Sequence, residues 1–271
     1  MPKIDVGGVN IHYEDRGRGE ALVFMHGYTG SGRDWRNQVE ALAGRCRTVT
    51  VDARGHGDSD APTSEEQYSI EIASRDARAV MDHLGIGSCC LVGHSMGGFA
   101  ALQFVLDDPD RVKALVLVDT SSGDYDVPSD YPDLKQTLYE LARTEGLEAA
   151  FEYEADHNPI RIDRFAKHPE LRDVARAKVL QTSVDGYVYV SKSFGKWQPV
   201  SRRLGEIRVP TLIFWGREDA GFERPSQALK NGIPDARLVI VPGVGHNPHE
   251  EAPEVFNQAL LAFLDEIGRP A

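Results

Sequence analysis

The segment Cys89-Cys90-Leu91-Val92-Gly93-His94-Ser95-Met96-Gly97-Gly98-Phe99-Ala100 reads in succession as the end of an apolar strand, an abrupt turn and the start of a helix. Leu91-Val92 closes a compact apolar run. Ala100-Ala101-Leu102 opens another, which Phe104, Val105 and Leu106 continue. Ser95 stands at the junction, with Gly93 and Gly97 two residues to either side. A serine at the tip of a strand-to-helix turn is held in a strained backbone conformation. Side chains two positions away would collide across so tight a turn, and glycine removes them. The expected result is an exposed hydroxyl at a helix N-terminus, where the dipole and free N–H groups favour developing negative charge. The pentapeptide alone arises by chance in roughly one chain in ten of this length, so its meaning depends on its surroundings.

Those surroundings are strands and helices in alternation. Residues 3–15 suggest two strands around Gly7-Gly8, followed by a polar turn at Arg16–Glu20. Ala21–Met25, Thr48–Val51, Val112–Val118, Thr211–Trp215 and Arg237–Val241 are further strands, several of them uninterrupted apolar runs that fit burial on both faces. Asp34–Leu42, Ser69–Leu84 and Pro253–Ile267 carry apolar residues at helical spacing. The pattern predicts an α/β domain with a mostly parallel sheet flanked by helices. Ligands in such sheets bind beyond the carboxyl ends of the strands, where this chain places its polar clusters.

The rhythm breaks between Ser122 and about Leu204. Segments such as Leu134–Leu141, Leu147–Tyr153 and Leu171–Leu180 read as short helices. Aromatics are dense there, among them Tyr125, Tyr131, Tyr139, Phe151, Tyr187, Tyr189, Phe194 and Trp197. The expected organisation is a core of residues 1–121 and 205–271 with a helical cap, 122–204, inserted over the strand ends. Such a cap supplies an apolar wall and excludes water. Most of its aromatics should form its own small core, with three or four reaching ligand.

The 271 residues, 41% hydrophobic, suffice for one large domain or one domain with a lid. A net charge of −12 argues against nucleic acid and anionic membrane as partners. A small-molecule substrate fits better, and oligomeric state is not legible. The three cysteines, Cys46, Cys89 and Cys90, have neither disulfide nor zinc spacing and read as small buried residues. Neither a signal-peptide pattern nor a run of the ~20 apolar residues needed to span a bilayer is visible, so a cytoplasmic location is expected. No metal or cofactor motif appears.

Ser95 is inert at its free pKa and needs a base. His246 is the best candidate, in a loop that follows Arg237–Val241 and is freed by Gly243 and Gly245. The base needs an orienting carboxylate. Asp219 follows Thr211–Trp215 and gives the chain order Ser95, Asp219, His246. Asp119, at the end of another strand, is the alternative acid, and Glu218 is a neighbouring carboxylate. An oxyanion needs two backbone donors. The Met96 N–H is one, and the Tyr28 N–H, after Ala21–Met25, is expected to be the other. The side chains of Tyr28, Trp197 and Phe222 are expected to line the substrate pocket.

With these residues in place, the chain resembles the α/β-hydrolase superfamily over nearly its whole length outside the cap. The resemblance is carried by His26–Ser31, Asp52-Ala53-Arg54-Gly55-His56-Gly57-Asp58-Ser59, Gly93–Gly98, Asp219 and Gly245–Glu254. It implies a serine-nucleophile branch, because the dehalogenase and epoxide-hydrolase relatives carry Asp where Ser95 stands. It also implies structural roles for Arg54, His56, His94 and His249. The expected reaction is cleavage of a carboxylic ester through an acyl-enzyme. Lactonase, C–C bond hydrolase and perhydrolase chemistry are alternatives with the same triad, and a ligand receptor or cofactor-free oxygenase is an alternative of another class. The loop Asp219-Ala220-Gly221-Phe222 departs from the Asp-Pro usual in relatives.

Overall fold

Buried strands in this chain are apolar on both sides because both sides are covered. The computed structural model describes residues 2–124 and 131–268. Its elements are β1 (Lys3–Asp5), β2 (Asn10–Gly17), β3 (Ala21–Met25), α1 (Arg36–Ala41), β4 (Arg47–Val51), α2 (Ile70–His83), β5 (Cys89–His94), α3 (Met96–Asp107) and β6 (Val112–Val118). After these come α4 (Tyr131–Thr144), α5 (Leu147–His157), α6 (Pro159–Lys167), α7 (Glu170–Leu180) and α8 (Val184–Phe194). The chain closes with β7 (Thr211–Gly216), α9 (Glu223–Gly232), β8 (Ala236–Val241), α10 (Pro248–Glu251) and α11 (Pro253–Ile267). The strands form one sheet in the order β1-β2-β4-β3-β5-β6-β7-β8. Pairings with β2 are antiparallel and all later ones are parallel.

Alternate residues along each central strand face opposite layers. Val23, Met25, Leu91, Leu115 and Leu117 pack with Ala77, Val80 and Met81 of α2 and with Phe99 and Leu102 of α3. Leu22, Phe24, Val92, Val116 and Phe214 face the other layer, with Trp35 and with Phe256, Leu260 and Phe263 of α11. Among the described residues no helix is long and apolar enough to cross a membrane.

Helices α4 to α8 stand between β6 and β7. Leu138, Phe151, Phe165, Val179 and Tyr187 form a core of their own there. Tyr139 and Tyr153 lie against that core, Tyr189 lies against both it and the main core, and Phe194 and Trp197 join the main core. Tyr125 lies outside the described residues, as does the side chain of Tyr131. Two helices of this insertion escape the sequence reading. In α8, Val184, Val188, Val190, Tyr187 and Tyr189 are strand-forming types around Gly186. Burial of Tyr187, Val188 and Val190 overrides that preference. In α6, exposed Ile160 and Ile162 blur the apolar stripe. Helix α9 is missed as well, since its interior is mostly polar. The expected helix 34–42 begins as a 3-10 turn, Gly32–Trp35, before α1. Arg16 and Gly17, expected in a turn, extend β2. Cys89 and Cys90 are buried, and Cys46 is only half-buried.

The loop after β4 is the socket on which the insertion sits. The Asp52 carboxylate accepts Nδ1–H of His12 at 2.8 Å and the N–H groups of Gly32 and Asp58 at 2.6 and 2.9 Å. Burial pushes this carboxyl up, but the His12 bond, His26 and the two N–H groups outweigh it and bring it to about 2. Arg54 grips Asp76 with two bonds of 2.7 and 2.9 Å. Gly55, at φ +74°, lies so close to α8 that a Cβ there would stand 2.5 Å from Gly186 Cα. The Ser183 N–H donates to the Gly55 carbonyl at 2.8 Å, which ties α8 down.

His56 is fully buried in this loop and donates Nδ1–H to the Arg54 carbonyl at 3.0 Å. Burial, with His26 nearby, lowers its pKa to about 3. The unfolded chain protonates this histidine below about pH 6.5. Its contribution to stability is therefore whole above that pH and is lost as pH falls toward 3. His56→Asn should remove that loss, so its stability relative to wild type should rise by about 1.4 kcal/mol per pH unit below pH 6.5. Urea unfolding of both proteins at pH 7.5 and 5.0 checks this, and an unchanged difference between them would refute it.

Candidate active site

Ser95 joins β5 to α3 with φ 50° and ψ −114°, a conformation that a non-glycine residue holds only under constraint. Its N–H donates to Val118 O at 2.9 Å, and Thr120 Oγ1–H donates to the Ser95 carbonyl at 2.7 Å. The flanking glycines are there for space. A Cβ on Gly93 would stand 2.4 Å from Gly97 O, and one on Gly97 would stand 2.2 Å from Met25 O. The turn thus fits only because three backbones meet without side chains.

His246 reaches Ser95 from the loop after β8. Its Nε2 is 3.0 Å from Ser95 Oγ, and its Nδ1 is 2.5 Å from Asp219 Oδ2. The arrangement needs a neutral imidazole whose Nδ1–H donates to Asp219 and whose Nε2 accepts the Ser95 hydroxyl proton. His94 Nε2–H donates to the His246 carbonyl at 2.7 Å. Burial and the neighbouring His249 and His246 push the His94 pKa well down, so His94 donates as a neutral ring. His249 is fully buried, stacked on Trp35 at 4.4 Å, and its pKa is likewise pushed well down by burial.

The acid loop takes its shape without a proline. Asp219 N–H donates to Gly216 O at 2.9 Å, Phe222 N–H to Asp219 O at 3.0 Å, and Trp215 Nε1–H to Asp219 O at 2.9 Å. Phe222 is carried by the short 3-10 turn Ala220–Phe222, and its ring lies 4.9 Å from that of His246. Glu218 turns to His168 instead, at 3.0 Å.

Asp119, the alternative acid of the sequence reading, lies beside Asp219 and His246. It is fully buried, has φ 38°, and accepts the Gly216 N–H at 3.1 and 3.3 Å. Its carboxylate, that of Asp219 and the His246 ring have atoms all within 4.8 Å of one another. Burial and the Asp219 charge push the Asp119 carboxyl well above the usual range, toward the neutral acid. Asp219, not Asp119, holds the hydrogen bond to His246. A second group with donor atoms close enough for a metal, His12, Asp52 and Asp58, is engaged in the socket described above.

Tyr28 and Met96 stand on the Ser95 side of the site. No acceptor for their backbone N–H groups is found among the described residues. Gly27 is pressed so near that a Cβ would stand 3.3 Å from Ser95 Cβ. The Tyr28 hydroxyl donates to Tyr187 O at 2.5 Å, and its ring meets Tyr187 and Phe194 at 5.5 and 5.6 Å. Trp197, expected at the pocket, is instead packed in the core. Its ring stacks on Phe99 at 5.1 Å, and its Nε1–H donates to Gln103 at 3.0 Å. An indole buries a large apolar area and needs a partner for its N–H, and α3 offers it both a ring and an acceptor.

Comparison with known proteins agrees with this fold. A family model described as alpha/beta hydrolase fold matches residues 20–253. The chain is similar to a putative 2-succinyl-6-hydroxy-2,4-cyclohexadiene-1-carboxylate synthase of Bacillus subtilis (strain 168), 31% identical over 266 residues that make up 96% of each chain. It is similar also to a 2-hydroxy-6-oxononadienedioate/2-hydroxy-6-oxononatrienedioate hydrolase of Burkholderia vietnamiensis (strain G4 / LMG 22486), 33% identical over 94% of this chain and 91% of the relative. Among solved structures, a thermophilic esterase from Thermogutta terrifontis superposes with a TM-score of 0.86 at 26% identity, covering 99% of this chain and 100% of that one.

The two acids should be separable by substitution. Asp219→Asn should lower the rate of Ser95 acylation by about 10⁴, since an amide stabilises the wrong imidazole tautomer. Asp119→Asn keeps an acceptor for Gly216 and should cost no more than about tenfold. Stopped-flow acylation with an activated ester tests both, and a larger loss at Asp119 would reverse the assignment.

Proposed function

We propose, from the premise that this chain belongs to the alpha/beta hydrolase fold family, that it is a serine hydrolase that cleaves a carboxylic ester of a small, partly apolar substrate. The observation that carries the reading is the unbroken line of contacts from Ser95 Oγ through His246 to Asp219, 3.0 and 2.5 Å.

In this mechanism His246 Nε2 takes the Ser95 proton as Oγ attacks the acyl carbon. Asp219 keeps Nδ1 protonated and stabilises the imidazolium that forms. The Tyr28 and Met96 N–H groups stabilise the tetrahedral oxyanion, where one donor is typically worth a few kcal/mol. The imidazolium then gives its proton to the leaving alkoxide. Water, deprotonated by the same nitrogen, attacks the acyl-enzyme and releases the acid, restoring Ser95. Phe222 shields one side of the imidazole. Helices α4 to α8, as a cap over residues 122–204, would close the apolar side of the pocket.

A second reading shares every residue. The relative from Burkholderia vietnamiensis is named a 2-hydroxy-6-oxononadienedioate/2-hydroxy-6-oxononatrienedioate hydrolase, and that likeness supports a vinylogous diketone substrate cleaved at a C–C bond.

The experiment is a panel of p-nitrophenyl esters of increasing acyl length, lactones and vinylogous diketones, run with wild type and Ser95→Ala. Turnover of one class at about 1–10³ s⁻¹, abolished in Ser95→Ala, is expected. Ester turnover that persists in Ser95→Ala rejects the mechanism, and diketone cleavage without ester cleavage selects the second reading.

A further inference from the structure

The loop that carries His246 is held from below by one carboxylate. Glu251 accepts the N–H of Gly245 at 3.0 Å and the N–H of Asn247 at 3.1 Å, the residues on either side of His246. Two backbone bonds leave the charge of this nearly buried carboxylate uncompensated. Arg164 of α6 supplies the compensation, donating from Nη2 to Glu251 Oε1, with both side chains below 15% exposed. The same guanidinium lies directly on Gly245. A Cβ there would meet three Arg164 atoms first, Nη1 at only 1.6 Å. Lys178 of α7 also crosses to this region, but it pairs with Asp34 and Glu250, and Glu250 is not the carboxylate that holds the N–H groups of Gly245 and Asn247.

One cap side chain therefore touches the histidine loop twice, at its anchoring carboxylate and at the glycine before the histidine. The backbone of Gly245 is not in the left-handed region, and a methyl group there would have to displace the Arg164 guanidinium from its seat. Removing the cation would leave a buried carboxylate without its partner, which is strongly unfavourable. Glu251 would then turn toward solvent and release the two N–H groups.

We propose that Arg164 is a positioning residue for His246: seating of the helices between β6 and β7 is transmitted through Arg164 and Glu251 to the imbedded loop, and so to the 3.0 Å contact with Ser95. The proposal rests on the reading of His246 as the base. It makes the site competent only when α6 is docked. A displacement of about 1 Å in such a group costs on the order of 10²-fold in rate.

The test is a double-mutant cycle with Arg164→Gln and Gly245→Ala. Each should lower kcat, and the rate at which a fluorophosphonate labels Ser95, by about ten- to a hundredfold, with KM changed less than about threefold. The double variant should be no slower than about twofold below the worse single one, because both remove one contact. Multiplied losses would overturn the proposal. So would an equal loss in Glu65→Gln, which breaks the pairs with Lys192 and Lys196 that dock α8 elsewhere. NMR titration of the His246 ring keeps the two readings apart. If wild-type Ser95 resists labelling, the base assignment fails by itself. An imidazole titration curve identical in wild type and Arg164→Gln still overturns the positioning role, and a shifted one supports it.

Discussion

Everything in this protein is arranged around a backbone that does not want to be where it is. Ser95 sits at φ 50°, where a non-glycine residue costs of order 1–3 kcal/mol. The surroundings over-determine it. Val118 O takes its N–H, the Thr120 hydroxyl binds its carbonyl, and the Gly98 N–H shares that carbonyl at 2.9 Å. Glycines at 93, 97 and 98 let β3, β5, α3 and Thr120 approach to distances that a methyl group would forbid. Relaxing the turn would aim the hydroxyl away from His246, and the remaining contacts would have nothing to act on.

Among the described residues, two further non-glycine residues hold positive φ, Thr29 at 64° and Asp119 at 38°. They lie just past the carboxyl ends of β3 and β6, on either side of β5. Strain is thus gathered along the rim where the parallel strands end, the place where such sheets bind ligand. The rigidity comes from strands buried on both faces, which cannot shift to relieve it.

Burial also decides the charges around the site. His94, His249 and His56 are all pushed toward the neutral ring, and Asp119 toward the neutral acid. These groups act as hydrogen-bond partners and packing surfaces, with His94 donating to the loop of His246. Ion pairs also cross the seam between core and insertion, where Arg164 meets Glu251 and Lys178 meets Glu250. The same two glutamates that follow His249 in sequence thereby serve different helices.

The sheet, the turn at Ser95 and the three polar residues now found in line are legible in the sequence. Unbroken apolar runs, the spacing of glycines and the position of a residue at a strand end are local facts, and local sterics are enough to read them. The sequence ranked Asp219 first on chain order but left Asp119 open as the acid, since both follow apolar strands. Only tertiary structure decided that, by burying Asp119 against the Gly216 N–H and curling the loop at Asp219 toward His246. Nor could it show α6 and α8, whose composition suits strands or solvent until packing selects the helix, or Trp197 turned into the core. Arg164 carries no local mark at all. Its meaning depends on Gly245 and Glu251, about eighty residues away in sequence, and a contact of that range exists only once the chain has folded.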